Sequence, residues 1–185
     1  MSLILFDYCF FDSCLELDLS YKHFSELFKK KDLLQLSLWG RYSVSQAQKV
    51  ITISNSSKSD IIREYGIPEA RVEVVYLGVK EVGKSQMSKK EVLEKYSVDE
   101  PFILLVGTLQ PRKNIVRLVE AFSRIKSNLK LVIIGRKGWQ YEEILNAPSR
   151  FGVSDSVLFL ENVTDEELPA FYENAEVFVL PSLYE

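Results

Sequence analysis

The sequence predicts an α/β protein in which a parallel sheet is flanked by helices. Short apolar segments rich in Val, Ile, Leu and Phe alternate with longer segments in which apolar residues recur at helical spacing. Three of the longer segments begin with Ser or Thr and carry an acidic residue three positions later, which is the pattern of a helix N-terminus. Regular alternation of strands and helices is typical of parallel sheets with right-handed crossovers.

The first part of the chain contains three predicted strands, at 3–6, 50–54 and 72–77. A long helix over 24–48 is expected to be interrupted near Gly40. Its expected inward face consists of Leu27, Phe28, Leu34, Leu38, Trp39 and Tyr42. A second helix is expected to begin at a capping box and to end at a glycine and a proline, and these residues are Ser57, Asp60, Gly66 and Pro68.

Residues 78–88 are polar, contain two glycines and show little pattern, so they are the best linker candidate. Beyond them the alternation is more regular. The predicted strands are 102–106, 129–134, 157–160 and 177–180, and the predicted helices between them include 114–126 and 141–151. Two further helices are expected to begin at the capping boxes Ser88 with Glu91 and Thr164 with Glu167. The second of these helices is expected to direct Leu168, Phe171 and Tyr172 inward.

The stretch 107–114, Gly-Thr-Leu-Gln-Pro-Arg-Lys-Asn, joins a strand to a helix and is the strongest candidate for a binding site. A helix N-terminus favours an anion because its first N–H groups are unpaired, and Gly107 would let the backbone approach that anion. Arg112 and Lys113 would add full positive charges, and Asn114 is expected to cap the helix. The stretch matches neither GxGxxG nor the P-loop, so taken alone it also fits an exposed turn with two surface cations.

The charges are distributed unevenly in a chain whose formal net charge is −3. Eight basic residues and one acidic residue lie between Arg112 and Lys137, whereas ten acidic residues and one basic residue lie between Glu142 and Glu185. The cations near the end of the helix that follows the stretch suit its dipole and are expected to face water. The mild acidity of the whole chain does not point to nucleic acid. The anion candidates are Arg112 and Lys113, followed by Arg136 and Lys137.

Composition excludes several classes of function. Cys9 and Cys14 are too few for a disulfide framework, and we expect reduced thiols in a cytoplasmic protein. With one histidine in the chain, His23, neither an all-protein zinc site nor a Ser-His-Asp triad is expected. The N-terminal residues lack the basic region of a signal peptide, and no apolar run reaches the ~18 residues that a membrane span needs. Peripheral contact with a membrane stays open.

With these segments in view, the chain resembles the retaining family 4 (group 1) glycosyltransferases of the GT-B fold, which have two Rossmann-like domains around a cleft. In the first half, DLSYKHFSELF, ITISNSSKSDIIREYGIP and RVEVVYLGV resemble the end of the acceptor-side domain. In the second half, FILLVGTLQPRKNIVRLVEAF, LVIIGRKGW and VLFLENVTDEELPAFYENAEVFVLPSLYE resemble the first half of the donor-side domain. The resemblance implies two incomplete Rossmann-like halves, a remnant of the N-terminal domain in residues 1–82 and part of the donor-binding C-terminal domain in residues 83–185.

The resemblance also implies roles for individual residues. Lys113 and Arg112 would hold the diphosphate of a nucleotide sugar and stabilise it as the leaving group. Glu185 would be the first of two glutamates separated by seven residues and would bond hydroxyls of the transferred sugar. The remaining donor contacts are expected at Gly107, Thr108, Gly135, Arg136, Asn162 and Val163, the last two beside the base.

The sequence departs from the family pattern in four respects. Thr108 stands where many members have an arginine, and Leu17 stands where relatives have a histidine that faces the donor sugar. His23 is not a substitute by spacing. The second glutamate and most of the acceptor domain are absent from the sequence. We therefore expect the middle of a glycosyltransferase, inactive as this truncated chain.

The expected reaction is transfer of a hexose from a GDP- or UDP-linked sugar to a hydroxyl of a glycan or lipid-linked acceptor, with retention. A faint similarity to mannosyltransferases favours GDP-mannose. No metal or cofactor is expected, because the cations and the helix N-terminus can stabilise the diphosphate and no DxD pair lies in a suitable loop. The alternative is a non-catalytic remnant that binds a nucleotide or phosphate. A redox Rossmann protein is disfavoured because GxGxxG is absent.

Overall fold

The computed structural model describes residues 9–10, 13–15, 19–78, 88–98, 101–125 and 128–184. The chain divides into two compact units, Met1–Val79 and Lys80–Tyr184, and each is described here by itself. The predicted strand at 3–6, most of the predicted linker, and the predicted boundary between residues 82 and 83 lie outside the described residues.

In the first unit, a small sheet is covered by helices. The strands are β1 (Cys9–Phe10), β2 (Ser13–Leu15), β3 (Lys49–Thr52) and β4 (Val72–Val74), and the helices are α1 (Ser20–His23), α2 (Lys30–Gln46) and α3 (Asn55–Tyr65). Strands β2, β3 and β4 are parallel, whereas β1 runs antiparallel to β2. One strand residue from each parallel strand lies in register at the centre of the core, namely Cys14, Val50 and Val72.

Two predictions about helix α2 are wrong, namely its inward face and its interruption near Gly40. The helix continues through Gly40, which is buried together with Ser43 and Val44. Leu33 and Leu36 lie on the same side of the helix and pack partly against the core, so the inward face of α2 is rotated from the predicted one. Phe28, which precedes the helix, packs partly against the core as predicted. Four other predicted inward residues are exposed, at 58–69% of their surface, namely Leu34, Leu38, Trp39 and Tyr42.

Helix α3 starts earlier than its predicted capping box. The N-cap is Ser54, whose side chain accepts a hydrogen bond from the backbone N–H of Ser57 at 3.0 Å. Ser57 and Asp60 are therefore inside the helix, and both are buried. The predicted C-terminus is correct: Gly66 has a φ of 66°, a left-handed conformation that glycine adopts without strain.

In the second unit, four parallel strands form a sheet in the order β7-β6-β5-β8. The strands are β5 (Phe102–Val106), β6 (Lys130–Ile134), β7 (Val157–Leu160) and β8 (Val177–Phe178), and the helices are α4 (Lys89–Lys95), α5 (Ile115–Phe122), α6 (Glu142–Arg150) and α7 (Leu168–Asn174). The predicted parallel α/β fold is confirmed.

Both faces of this sheet are covered. Residues Ile103, Leu105, Leu131 and Ile133 of the two central strands pack against α5 and α6, and the alternate residues Phe102, Leu104, Val132 and Ile134 pack against α4 and α7. Successive side chains of a strand point to opposite faces, which is why both sets are apolar. The central strands are thus continuous apolar runs, as the sequence predicts for a sheet covered on both sides.

Two of the predicted capping boxes are present. Ser88 and Glu91 exchange hydrogen bonds between side chain and backbone at the start of α4. Thr164 and Glu167 do the same in the turn before α7. In α7, Phe171 is buried as predicted, but Tyr172 is 44% exposed. Strand β8 and helix α5 are both shorter than predicted.

Candidate functional site

Four loops of the second unit lie at one edge of its sheet. Because β5 to β8 are parallel, their carboxyl ends meet at the same edge, where ligands bind in open α/β sheets. The loops that leave these ends contain residues 107–114 after β5, 135–141 after β6, 161–167 after β7, and 179–184 after β8. Every described donor-site residue that the sequence predicts lies in one of these loops.

The first three loops are joined by backbone hydrogen bonds. Gly107 N donates to Ile134 O, and Leu109 N donates to Arg136 O, each at 2.9 Å. Gly135 N donates to Leu160 O at 3.0 Å, which links the loops after β6 and β7. The pairing of the strands therefore continues past their ends, and the base of the site is a backbone framework.

Two glycines of the loop after β6 lie so close to the backbone of the loop after β5 that a larger residue would not fit. A Cβ on Gly135 would lie 1.9 Å from the carbonyl oxygen of Gly107, and a Cβ on Gly138 would lie 2.8 Å from the carbonyl oxygen of Leu109. No side chain fits at either position without moving a neighbouring loop. The sequence predicts Gly135 as a donor contact, whereas the structure first requires it for packing two loops together.

Lys113 lies beside Gly107, the glycine that directly follows β5. Residues Pro111–Lys113 form a single 3₁₀ turn, closed by a hydrogen bond from Lys113 N to Gln110 O at 3.0 Å. A Cβ built on Gly107 would be 3.6 Å from Cε of Lys113, so the aliphatic part of the lysine passes over this glycine. The sequence prediction that Gly107 and Lys113 belong to one site agrees with this geometry.

Asn114 does not cap α5 with its side chain. The residue has a φ of 57°, and no side-chain hydrogen bond to the helix is present. Asparagine tolerates this left-handed conformation better than most residues. Its amide Nδ2 instead donates to Pro181 O at 3.1 Å, in the loop after β8. Asn114 is therefore the N-cap residue of α5, as predicted, but it lacks the side-chain hydrogen bond to the helix that such a cap usually makes.

Arg112 contacts the same loop after β8. Its Nη1 donates to the carbonyl oxygen of Tyr184, and its own carbonyl oxygen accepts a hydrogen bond from Leu183 N at 2.9 Å. Two elements that are 72 residues apart in the sequence are joined in this way. The sequence predicts Arg112 as a cation beside Lys113 and gives no sign of this contact.

Thr108, a predicted donor contact in the loop after β5, is exposed. The other predicted cations, Arg136 and Lys137, lie in the loop after β6, and Arg136 is exposed. Lys137 forms a salt bridge with Glu161 at 2.8 Å, and this carboxylate raises the pKa of Lys137. Lys137 therefore joins the loops after β6 and β7.

The loop after β7 has an unusual backbone at Asn162, whose φ is 63° and whose side chain is exposed. Val163, predicted beside the base, packs partly against the core formed with α4 and α7. The hydroxyl oxygen of Tyr96 lies 3.5 Å from Asn162 O, so the end of α4 reaches this loop.

A buried carboxylate supports the same loop. Glu167 accepts hydrogen bonds from Lys95 Nζ at 2.6 Å, Tyr96 Oη at 2.9 Å and Thr164 N at 3.1 Å. The bond from Lys95 and then the backbone bond from Thr164 lower the pKa of Glu167 from 4.5 to about 2. The sequence predicts Glu167 only as half of a capping box, because its partners on α4 lie some seventy residues earlier in the chain.

Two residues of the sequence-based interpretation, Leu17 and Glu185, lie outside the described residues. Among the residues that the structure does describe, no group of three or more His, Cys, Asp or Glu side chains could hold a metal ion.

Comparison with known proteins identifies the family. Residues 88–185 match the family described as glycosyl transferases group 1, and residues 16–81 match the family described as glycosyltransferase family 4. The chain belongs to the group 1 glycosyltransferases. The first of the two matches covers residues 107–184, so all four loops of the candidate site lie within the matched region.

Individual relatives agree with this assignment. This group 1 glycosyltransferase is 31% identical over 150 residues to the O-antigen chain mannosyltransferase B of Escherichia coli, and the match covers 77% of this chain and 39% of the relative. Among solved structures, the sucrose-phosphate synthase of Thermosynechococcus elongatus matches with a TM-score of 0.70 and 20% identity, over 92% of this chain and 45% of that chain. Anabaena HepE in complex with UDP-glucose matches with a TM-score of 0.66 and 17% identity, over 85% of this chain and 44% of that chain.

The chain of this group 1 glycosyltransferase thus spans less than half the length of these relatives. The structural matches have the fold expected for the GT-B glycosyltransferases, in agreement with the sequence-based assignment. No helix among the described residues is long and apolar enough to cross a membrane.

Proposed function

We propose that this chain carries the diphosphate-binding part of a glycosyltransferase that transfers a hexose from a nucleoside diphosphate sugar to an acceptor hydroxyl, with retention of configuration. The observation that carries this proposal is the position of Lys113 over Gly107, at the edge where the four loops meet and where α5 begins. Membership of the group 1 glycosyltransferases supports the reaction class.

The chemistry follows from the charge that builds on the leaving group. As the bond between the sugar and the diphosphate breaks, negative charge grows on the diphosphate oxygens. A lysine held close by, together with the N–H groups at the start of α5, stabilises this charge more strongly in the transition state than in the ground state. Lys113 and the N-terminus of α5 are next to each other in the structure, because the 3₁₀ turn of Lys113 ends where α5 begins.

The proposal extends to the rest of the donor. The exposed backbone at Asn162, in the loop after β7, would line the base, and Glu185 would bond the hydroxyls of the sugar. The relative from Escherichia coli is a mannosyltransferase, which favours GDP-mannose, whereas Anabaena HepE is in complex with UDP-glucose, which keeps a UDP-linked donor open. The acceptor remains a glycan or a lipid-linked glycan, and a cytoplasmic location is part of the proposal.

The second candidate is a non-catalytic domain that binds a nucleoside diphosphate without transferring a sugar. The feature in its favour is Leu17, which stands where relatives have a histidine that faces the donor sugar and whose side chain can neither donate nor accept a hydrogen bond. Both candidates require the same diphosphate site, so they differ in turnover and not in binding.

Calorimetric titration with GDP, UDP, GDP-mannose and UDP-glucose tests the shared requirement. We expect at least one of these compounds to bind, and the absence of binding by all four would overturn both candidates. Release of nucleoside diphosphate from the bound nucleotide sugar, measured with and without glycan acceptors, then separates them. Turnover supports a transferase, whereas binding without turnover supports a non-catalytic domain.

A further inference from the structure

We propose that Arg112 is a positioning residue that holds the segment 181–184 in place, and that it is not a ligand of the diphosphate. This inference rests on the proposed function above, and it separates the roles of two adjacent cations. It assigns Lys113 to the diphosphate and Arg112 to the part of the site that receives the sugar.

Hydrogen bonds between described residues join the turn 111–114 to the segment 181–184, and three of them carry the inference. The Arg112 guanidinium donates to Tyr184 O, the Arg112 carbonyl accepts from Leu183 N at 2.9 Å, and Asn114 Nδ2 donates to Pro181 O at 3.1 Å. Two of these bonds use side chains of the turn, so the amino acids at both positions matter. Arg112 contributes twice, with its side chain and with its main chain.

The geometry of the turn directs the two cations to different partners. A 3₁₀ turn has three residues per turn, so consecutive side chains leave it about 120° apart. Lys113 passes over Gly107 in the loop after β5, whereas Arg112 reaches the loop after β8. Arginine suits the second role because its planar guanidinium keeps several donors in fixed directions, and a lysine has only a compact ammonium group.

The contact reaches the sugar site through the main chain. The carbonyl of Tyr184 belongs to the peptide unit that joins Tyr184 to Glu185, and the proposed function assigns the carboxylate of Glu185 to the hydroxyls of the sugar. The hydrogen bond from Arg112 to the carbonyl of Tyr184 therefore restricts the backbone of the residue that directly precedes Glu185. Loss of the arginine side chain should therefore weaken recognition of the sugar and leave recognition of the diphosphate nearly unchanged.

Hydrogen–deuterium exchange tests the contact itself and needs no ligand. We expect R112Q to accelerate exchange several-fold at the amide of Leu183, while the amides of β5 keep the rates of the wild type and show that the fold is intact. R112K should restore part of the protection, because lysine can donate one hydrogen bond to the same carbonyl. K113Q is the matched control and should leave this amide unchanged. Unchanged exchange at Leu183 in R112Q would overturn the inference.

Binding tests the division of roles. The affinity for UDP-glucose is compared with that for UDP, and the affinity for GDP-mannose with that for GDP, in the wild type, R112Q and K113Q. We expect R112Q to bind the free nucleoside diphosphates within about twofold of the wild type and to lose most of the additional affinity due to the sugar. K113Q should weaken the free nucleotide and the nucleotide sugar by the same factor.

The remaining outcomes are distinct. If R112Q weakens the free nucleoside diphosphate as strongly as K113Q does, Arg112 is a diphosphate ligand and the inference is overturned. If the wild type binds none of the four compounds, the proposed function fails and the sugar-site role of Arg112 fails with it. The exchange experiment still decides in that case whether Arg112 holds the segment.

Discussion

Arg112 and Lys113 are neighbours in the sequence, but their side chains have different surroundings. Lys113 lies over the glycine at the end of β5, and Arg112 donates to a carbonyl of the loop after β8. A count of charges along the sequence treats both residues as one basic cluster. The structure separates them, since Lys113 lies beside Gly107 and Arg112 contacts the segment 181–184.

Substitution of Lys113 tests the diphosphate site at the scale of one residue. We expect Lys113→Gln to weaken binding of GDP or UDP by about tenfold or more, because a hydrogen bond to a charged group contributes roughly 1.5–3 kcal/mol. Titration calorimetry measures the change. The control is Arg124→Gln, which removes an exposed cation that pairs with Glu120 at the far end of α5, and it should leave the affinity unchanged. Equal affinities of K113Q and the wild type would contradict the assignment of Lys113.

The sequence predicts single residues well where the cause is local. The capping pair Ser88 and Glu91 follows from residue type and spacing alone, and the structure contains both of its hydrogen bonds. The role of Glu167 could be predicted only in part, because Lys95 and Tyr96 approach it through the packing of α4 against α7. A buried carboxylate and an exposed one look the same in a sequence when their partners are distant.

At the scale of elements, Glu167 joins α4 to α7 and supports the loop after β7. We expect Glu167→Gln to lower the free energy of unfolding by about 1–3 kcal/mol at neutral pH, since a buried acceptor of several hydrogen bonds loses its charge. Urea denaturation gives the difference from the wild type. The matched control is Glu166→Gln, which changes the exposed neighbouring carboxylate and should have an effect within about 0.5 kcal/mol.

The difference in unfolding free energy between the wild type and E167Q should depend on pH, and the lowered pKa of Glu167 fixes the direction of this dependence. The pKa of Glu167 is lowered from 4.5 to about 2 in the folded protein, so its charge stabilises the fold fully above pH 4.5. The stability difference between the wild type and E167Q should therefore shrink as the pH falls from 4.5 toward 2. A difference that stays constant over this range would contradict the assignment of the buried charge to Glu167.

The close packing of the loops after β5 and β6 can also be tested by mutation. We expect Gly135→Ala to lower the free energy of unfolding by about 2 kcal/mol or more, because the new Cβ would overlap the carbonyl of Gly107 and force the two loops apart. The control is Gly78→Ala, since a Cβ on Gly78 has no atom within 4 Å. Thermal or urea unfolding of both variants gives the comparison. Equal stability of G135A and the wild type would show that the loops can separate without cost.

Helix α2 shows why element faces are harder to predict than elements. Its apolar residues Leu34, Leu38 and Tyr42 recur at helical spacing, so the sequence predicts them as the buried face. In the structure the interior side is formed by Gly40, Ser43 and Val44 together with the partly buried Leu33 and Leu36, and the residues of the predicted face are exposed. Leucines recur at helical spacing on two sides of α2, so periodicity alone does not show which side packs inward.

At the scale of the whole molecule, the described residues form two units, each with its own core and its own sheet. The parallel pairing of β2 to β4 and of β5 to β8 follows from the alternation of strands and helices in the sequence. The strand order β7-β6-β5-β8 does not follow from that alternation, because sequential neighbours need not be spatial neighbours. This order is what brings Arg112 to the loop after β8, since β8 pairs directly with β5.

The strand order also leaves β8 at an edge of the described sheet, and this edge predicts association of the protein. Val177 is 48% exposed on this strand, and an exposed apolar edge can pair with another chain. We expect sedimentation velocity to show concentration-dependent association of the wild type, and Val177→Lys to reduce it, because an edge lysine opposes pairing of strands. Asn128→Lys adds the same charge at an exposed site before β6 and should associate like the wild type. A wild type that stays monomeric at all concentrations would exclude this edge as a site of association, and equal effects of the two lysines would assign the change to net charge.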